Sequence, residues 1–162
     1  MNRKPLVFFI YILFLVAASV EGSFGNCYAQ SQADSRAIRK YDEFVNVNCE
    51  VELARMDSLL SGMGNNPESV AHIIVYGGQE GRHYEALSYA ARMRFYATHT
   101  RRMDSRRIIT IDGGYRENLT TEFWLGPRGQ PMPTPTPTVN SKDVRLKGRA
   151  TLRGRDCGSN MN

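Results

Sequence analysis

Hydrophobic positions along the chain fall into short runs with two different periods. Tyr41 to Val47 carries Phe44, Val45 and Val47, residues that favour a pleated strand. From about Glu50 to Leu60, Val51, Leu53, Ala54, Met56, Leu59 and Leu60 predict a helix. The breakers Ser61-Gly62-Met63-Gly64-Asn65-Asn66-Pro67 end it. Ala71-His72-Ile73-Ile74-Val75-Tyr76 is a continuous apolar run, as in a strand buried on both faces, and Gly77-Gly78 stops it. A second helix is predicted from about Arg82 to His99. Within it Ala86, Tyr89, Ala90, Met93, Tyr96 and Ala97 share a sector of roughly 120°. Leu87, Ala91 and Phe95 form a second stripe, and the polar remainder carries Glu85, Ser88, Arg92 and His99. Ile108 to Ile111 and Thr120 to Leu125 read as two further strands, the first ended by Asp112-Gly113-Gly114. The order β-α-β-α-β-β predicts an α/β chain, specifically an α+β two-layer sandwich with right-handed crossovers and both helices on one sheet face.

The residues before this pattern read as an address. Arg3 and Lys4 precede a charge-free run from Leu6 to Ala18, shorter than the roughly 20 apolar residues of a membrane span. Basic start, apolar run and small residues predict a secretory signal peptide over 1–29. Cys27-Tyr28-Ala29 places the cut after Ala29; a cut after Ser19, a lipoprotein site at Cys27 and an uncleaved anchor are the alternatives. With the signal removed, Cys49 and Cys157 remain, an even pair in an oxidising compartment and so a disulfide candidate. Two free thiols, or pairing with another chain, is the other arrangement. The bridge would close a loop of about 108 residues and contribute about 2–4 kcal/mol. The expected locale is the periplasm or cell envelope, with no stable membrane span after cleavage.

Composition places the 162-residue chain among ordinary globular proteins, at 41% hydrophobic and 23% charged residues, and leaves room for one domain of usual size. Charge changes the picture more. Residues 30–129 balance 13 basic against 13 acidic side chains, whereas 130–162 hold six basic and two acidic. The boundary is Pro131-Met132-Pro133-Thr134-Pro135-Thr136-Pro137-Thr138, whose alternating prolines favour an extended, semi-rigid spacer. The organisation expected is therefore a lead-in at 30–40, a domain at 41–129, a Pro/Thr-rich linker at 130–140 and a basic tail at 141–162. Asp143 to Gly148 alternates like one short strand.

Three local patterns resemble the OmpA C-terminal-like domain of the bacterial cell envelope. Ile73-Ile74-Val75-Tyr76-Gly77-Gly78-Gln79-Glu80 is similar to that family's second strand, ending in glycine and then an acid. Leu87-Ser88, followed by a basic and apolar helix with Tyr96 near its end, resembles its second helix. Arg107-Ile108-Ile109-Thr110 and Gly113-Gly114-Tyr115-Arg116-Glu117 resemble its third strand and turn. The resemblance covers roughly Tyr41 to Gly126. It implies a peptidoglycan-associating domain in which an aspartate after the second strand and an arginine in the second helix hold diaminopimelate. The arginine fork suits a carboxylate and the acid suits an ammonium. Carried over, Glu80 falls at the acidic position; the arginine position falls on Ala91, with Arg92 one residue later, about 100° around the helix. Glu80 and Arg92 are the candidate ligand-binding pair, a solvated surface pair being the alternative.

Other constellations point elsewhere or nowhere. His72, His83 and His99 lack the spacing of a metal site. Ser88, His83 and Asp104 lack the strained elbow of a nucleophile, and no catalytic residue is assigned. Gly77-Gly78-Gln79-Glu80-Gly81 has neither dinucleotide nor P-loop spacing, so no cofactor is expected. Arg101, Arg102, Arg106 and Arg107 bracket a loop as a solvated cluster or a contact for an anionic polymer or lipid headgroup. The tail cations Lys142, Arg145, Lys147, Arg149, Arg153 and Arg155 lack interleaved aromatics, which argues against nucleic acid. The sequence thus predicts an exported, non-enzymatic envelope protein contacting peptidoglycan. The rival is a protein-interaction or scaffold module that keeps the fold without the wall ligand.

Overall fold

The computed structural model describes residues 37–64 and 66–150. These belong to a compact unit running from Ala37 to Asn162. The expected signal peptide, Cys157 and the end of the basic tail lie outside the described residues.

The first strand, β1 (Arg39–Val45), leads into helix α1 (Cys49–Met63), which Asn48 caps by accepting the Val51 amide at 2.9 Å. Glu52, Met56, Leu59 and Met63 are its buried residues, spaced so that they line one face. Strand β2 (Ser69–Gly78) is buried along its whole length. A short strand β3 (Glu80–His83) follows, then helix α2 (Glu85–Phe95), which runs on into a wider turn at Tyr96–Thr100. Strands β4 (Ile108–Arg116) and β5 (Thr120–Pro127) complete the main sheet. The tail adds β6 (Arg145–Arg149).

The main sheet has the order β1-β5-β2-β4. β2 and β4 are parallel, and β5 runs antiparallel to both of its neighbours, β1 and β2. β5, last of the four in the chain, therefore enters between β1 and β2. Alternation along β2 divides its side chains between two faces. Ala71, Ile73 and Val75 join Met56, Leu59, Met63, Ala90, Met93 and Phe123 in one core, so both helices cover the same face. The expected sector of the second helix packs here: Ala90, Met93 and Ala97 lie in the core, with Ala86, Tyr89 and Tyr96 against it. The molecule is thus a mixed α/β domain, a four-stranded sheet with two helices.

Val70, His72, Ile74 and Tyr76 alternate onto the opposite face and are buried as well. Residues 131–139, which the sequence presents as a spacer, lie against that face. The Thr136 amide donates to the Tyr76 hydroxyl at 3.1 Å, and Thr138 and Val139 donate to the Tyr115 carbonyl at 3.0 and 3.1 Å. Pro133 is buried. Gly113 lets Tyr76 lie flat on the sheet: a Cβ there would sit 2.5 Å from the Tyr76 ring. The second helix starts three residues later than predicted, because Glu80–His83 pairs as a strand with β6 from the far end of the chain.

Candidate functional site

A cleft of about 480 Å³ opens where β2 ends and β3 begins. Its walls come from four places in the sequence, the first being Asn46 and Val47 between β1 and α1. The β2–β3 segment and the start of α2 supply Glu80, Arg82 and Glu85; the β4–β5 turn supplies Glu117; the tail strand β6 supplies Arg145 and Lys147. Tyr89 lines the helix side. Parallel pairing of β3 with β6 aligns Glu80 with Arg145, and their side chains form an ion pair at 2.8 Å. The ribbon is fastened to the body where the Arg145 amide donates to the Gln79 carbonyl at 2.8 Å. Glu85 accepts the Arg82 amide at 3.3 Å, which steadies the turn into α2. The side chains of Arg82, Lys147 and Glu117 have no hydrogen-bond or ion-pair partner among the described residues. The cleft therefore offers free charge of both signs to an incoming ligand.

Of the two sequence-predicted site residues, Glu80 stands on the cleft wall and Arg92 does not. Arg92 is 8% exposed and lies between the helices, where its guanidinium binds the Glu52 carboxylate through two bonds, Nε at 3.0 Å to Oε1 and a second to Oε2. The reason is lateral packing. Two helices side by side on one sheet face bury the flanks they turn toward each other, so α2's polar sector meets α1 instead of water. Burial pushes the Glu52 carboxyl up, and the Arg92 guanidinium pulls against that shift. Arg92 also stacks on Tyr89, 4.3 Å from the ring centroid, and so lies one layer behind the cleft. Sequence reading missed Arg82, Glu117 and Lys147. Arg82 and Glu117 flank recognisable turns, but nothing local to Lys147 signals that the tail returns to β3.

The far sheet face holds a second polar cluster. Glu122, 1% exposed, accepts from Lys40 Nζ at 2.8 Å, an Arg116 guanidinium nitrogen at 2.7 Å, Trp124 Nε1 at 2.9 Å and the Tyr76 hydroxyl at 3.2 Å. Burial pushes its carboxyl up, but the Lys40, Trp124 and Arg116 donors outweigh it and hold the group below the usual carboxylate range. Arg116 also donates to Thr136 and lies 3.7 Å from the Tyr76 ring centroid. With every donor satisfied, this cluster fastens the 131–139 segment. Nearby, His72 is buried, its Nδ1 is without a hydrogen-bond partner, and burial pushes its imidazole below the ordinary value.

The arginine loop is largely spoken for. Arg101 pairs with Asp57, Arg106 with Asp104, and Arg107 donates to the Ser69 and Asn66 carbonyls. Among the described residues no group of three or more His, Cys, Asp or Glu side chains is placed to hold a metal ion. No helix among them is long and apolar enough to cross a membrane. Comparison with protein-family models, curated proteins and solved structures found no match to this chain.

Proposed function

We propose that the chain is an exported, non-enzymatic cell-envelope protein whose OmpA-like domain contacts peptidoglycan at the cleft beside Glu80. The observation that carries this reading is the cleft itself. It lies at the end of the central strand, where the resemblance puts the ligand, and carries Glu80, Glu117, Arg82 and Lys147 around one space. Wall peptides are rich in amino and carboxyl groups, and such a site can hold one of each. The ammonium would meet Glu117 or Glu80, and the carboxylate Arg82 or Lys147. Arg92 contributes by holding Tyr89 in place, not by touching the ligand.

The test is a titration of the chain from Gln30 on with a muropeptide containing diaminopimelate. Saturable binding is expected, weakening with salt because the site is open to water. A charge-assisted hydrogen bond contributes roughly 1.5–3 kcal/mol, so Glu117→Ala and Arg82→Ala should each weaken binding about tenfold or more. No saturable binding, or binding indifferent to both changes, would sink the proposal.

A second reading, an envelope protein-interaction or scaffold module without a wall ligand, is favoured by one observation. The arginine that would complete the family's pair is already engaged by Glu52. A failed titration would leave this reading standing.

A further inference from the structure

The first turn of α2 has an unusual surface. Large exposed hydrophobic side chains are few among the described residues, and two of the five, Tyr84 at 55% and Leu87 at 57%, lie in this one turn. The Ser88 amide closes the turn onto the Tyr84 carbonyl at 2.9 Å, which brings the two residues together at the helix start. Tyr84 stands at φ 63°, in the left-handed region. A bulky aromatic residue is unfavourable there, whereas glycine would adopt the same angle freely. Strained backbone of this kind persists only where the surrounding structure holds it in place, here the β3–β6 pairing before it and the helix after it.

Cations surround the turn. The β3–β6 pairing aligns His83 with Arg149, and the Ala150 amide donates to the His83 carbonyl at 2.9 Å. Arg149 thereby reaches the Tyr84 ring, 5.2 Å from its centroid. Arg82, Lys147 and Arg149 are all exposed on the same two paired strands. Of the local acids, Glu80 is paired with Arg145, which leaves Glu85 and Glu117 against the three cations Arg82, Lys147 and Arg149. The result is an apolar pair, one member aromatic, beside an excess of positive charge.

We propose that this end of the domain, the β3–β6 ribbon with the first turn of α2, docks on an anionic lipid surface. Tyr84 and Leu87 enter the headgroup layer, and Arg82, Lys147 and Arg149 meet the lipid phosphates. An aromatic ring with a polar tip suits that interface, and basic stems can lie along apolar surface while their charges reach outward. A soluble polyanion would engage the cations equally well, but it has no use for an exposed leucine beside a strained, exposed tyrosine. The lipid reading accounts for both halves of the patch. It shares Arg82 and Lys147 with the proposed wall site, but the docking pair Tyr84 and Leu87 and the cation Arg149 do not line the cleft, so Tyr84→Gly, Leu87→Ser and Arg149→Ala separate the two readings.

The experiment is co-sedimentation of the chain from Gln30 on, which contains the whole compact unit, with phosphatidylcholine vesicles with and without phosphatidylglycerol. Binding is expected only with the anionic lipid, and should fall as salt rises. Each of Arg149→Ala and Lys147→Ala should cost about fivefold, the equivalent of roughly 1 kcal/mol per cation at a charged bilayer. Tyr84→Gly is the deciding variant. It relieves the strained backbone, so its melting temperature should hold or rise while its vesicle binding drops; Leu87→Ser should lose binding likewise. Absence of binding to phosphatidylglycerol vesicles overturns the proposal. So does binding that is lost with salt yet unchanged in Tyr84→Gly and Leu87→Ser, which would mark a plain polyanion site.

Discussion

Glu52 and Arg92 form an ion pair with almost no access to water, 0% and 8% exposed. Such a pair is held by mutual compensation: each charge makes the other's burial tolerable. Removing one partner leaves an uncompensated charge and typically costs about 3–5 kcal/mol, whereas replacing both with apolar groups of similar volume is often neutral or better. Arg92→Met should therefore strongly destabilise the domain, and Glu52→Met with Arg92→Met should recover most of the loss, as read by urea denaturation. Equal destabilisation in single and double variants would show that packing, not charge, governs the site. At the same scale, His72 and Glu122 contribute to the acid response, beside Asp57 and Asp104, which their Arg101 and Arg106 partners hold low. All four have folded-state values pushed below their ordinary ones. A depressed value means the unfolded chain binds the proton first, so stability is present above the ordinary value and falls as pH drops toward the folded one. The domain should lose stability in two stages, the first beginning below about pH 6.5 from His72 and the second below about pH 4.3 from Glu122 together with Asp57 and Asp104. His72→Leu should flatten the first stage only, in melts recorded across that range.

Among the elements, the segment at 131–139 contributes most beyond its appearance. Its prolines cannot donate, yet Thr136, Thr138 and Val139 each supply an amide to the sheet side. At roughly 1 kcal/mol for each such bond, these three contribute about 3 kcal/mol before any apolar burial is counted. The face beneath holds Ile74 and Tyr76 at 0% exposure and His72 at 3%. A chain ending after Gly129 should therefore melt well below the full chain and aggregate, because its second sheet face is bare. One ending after Asn140 keeps the strap and, like the shorter chain, lacks β6 and Cys157, so the two differ by the strap alone. It should remain folded while losing the Arg145 and Lys147 wall of the cleft. Comparable melting of the two truncations would show that the strap adds little.

For the whole molecule, Cys49 begins α1 and Cys157 lies beyond β6 in sequence, so a bridge between them would close the ends of the domain around its sheet. We expect a non-reduced digest of exported protein to release one peptide pair linking the two. Reduction should cost about 2–4 kcal/mol of stability. Recovery of Cys49 and Cys157 as two alkylated thiols, or of Cys49 linked to Cys27, would refute the pairing. The last outcome would also show that the cut after Ala29 does not occur.

Local pattern was enough to place most of this fold. Apolar alternation and helical spacing in Phe44, Met56, Ile73, Met93 and Phe123 reflect one buried face per element, and that face is written in neighbouring residues. Breakers such as Gly77-Gly78 and Asp112-Gly113-Gly114 lie in or beside strands that run to Gly78 and Arg116, so the strands extend beyond where local signals end them. The sheet ladder supplies the reason: pairing of Gly77 and Gly78 with Tyr115 and Arg116 outweighs turn propensity. Glu80's place beside the cleft was legible because it follows directly on the end of β2. Arg92, Lys147 and the strap were not. Whether a polar helical face meets water or another helix, and whether a tail returns to pair with a strand some sixty residues earlier, depends on contacts between distant segments. Those contacts leave no periodic trace in either partner, so only the tertiary structure decides them.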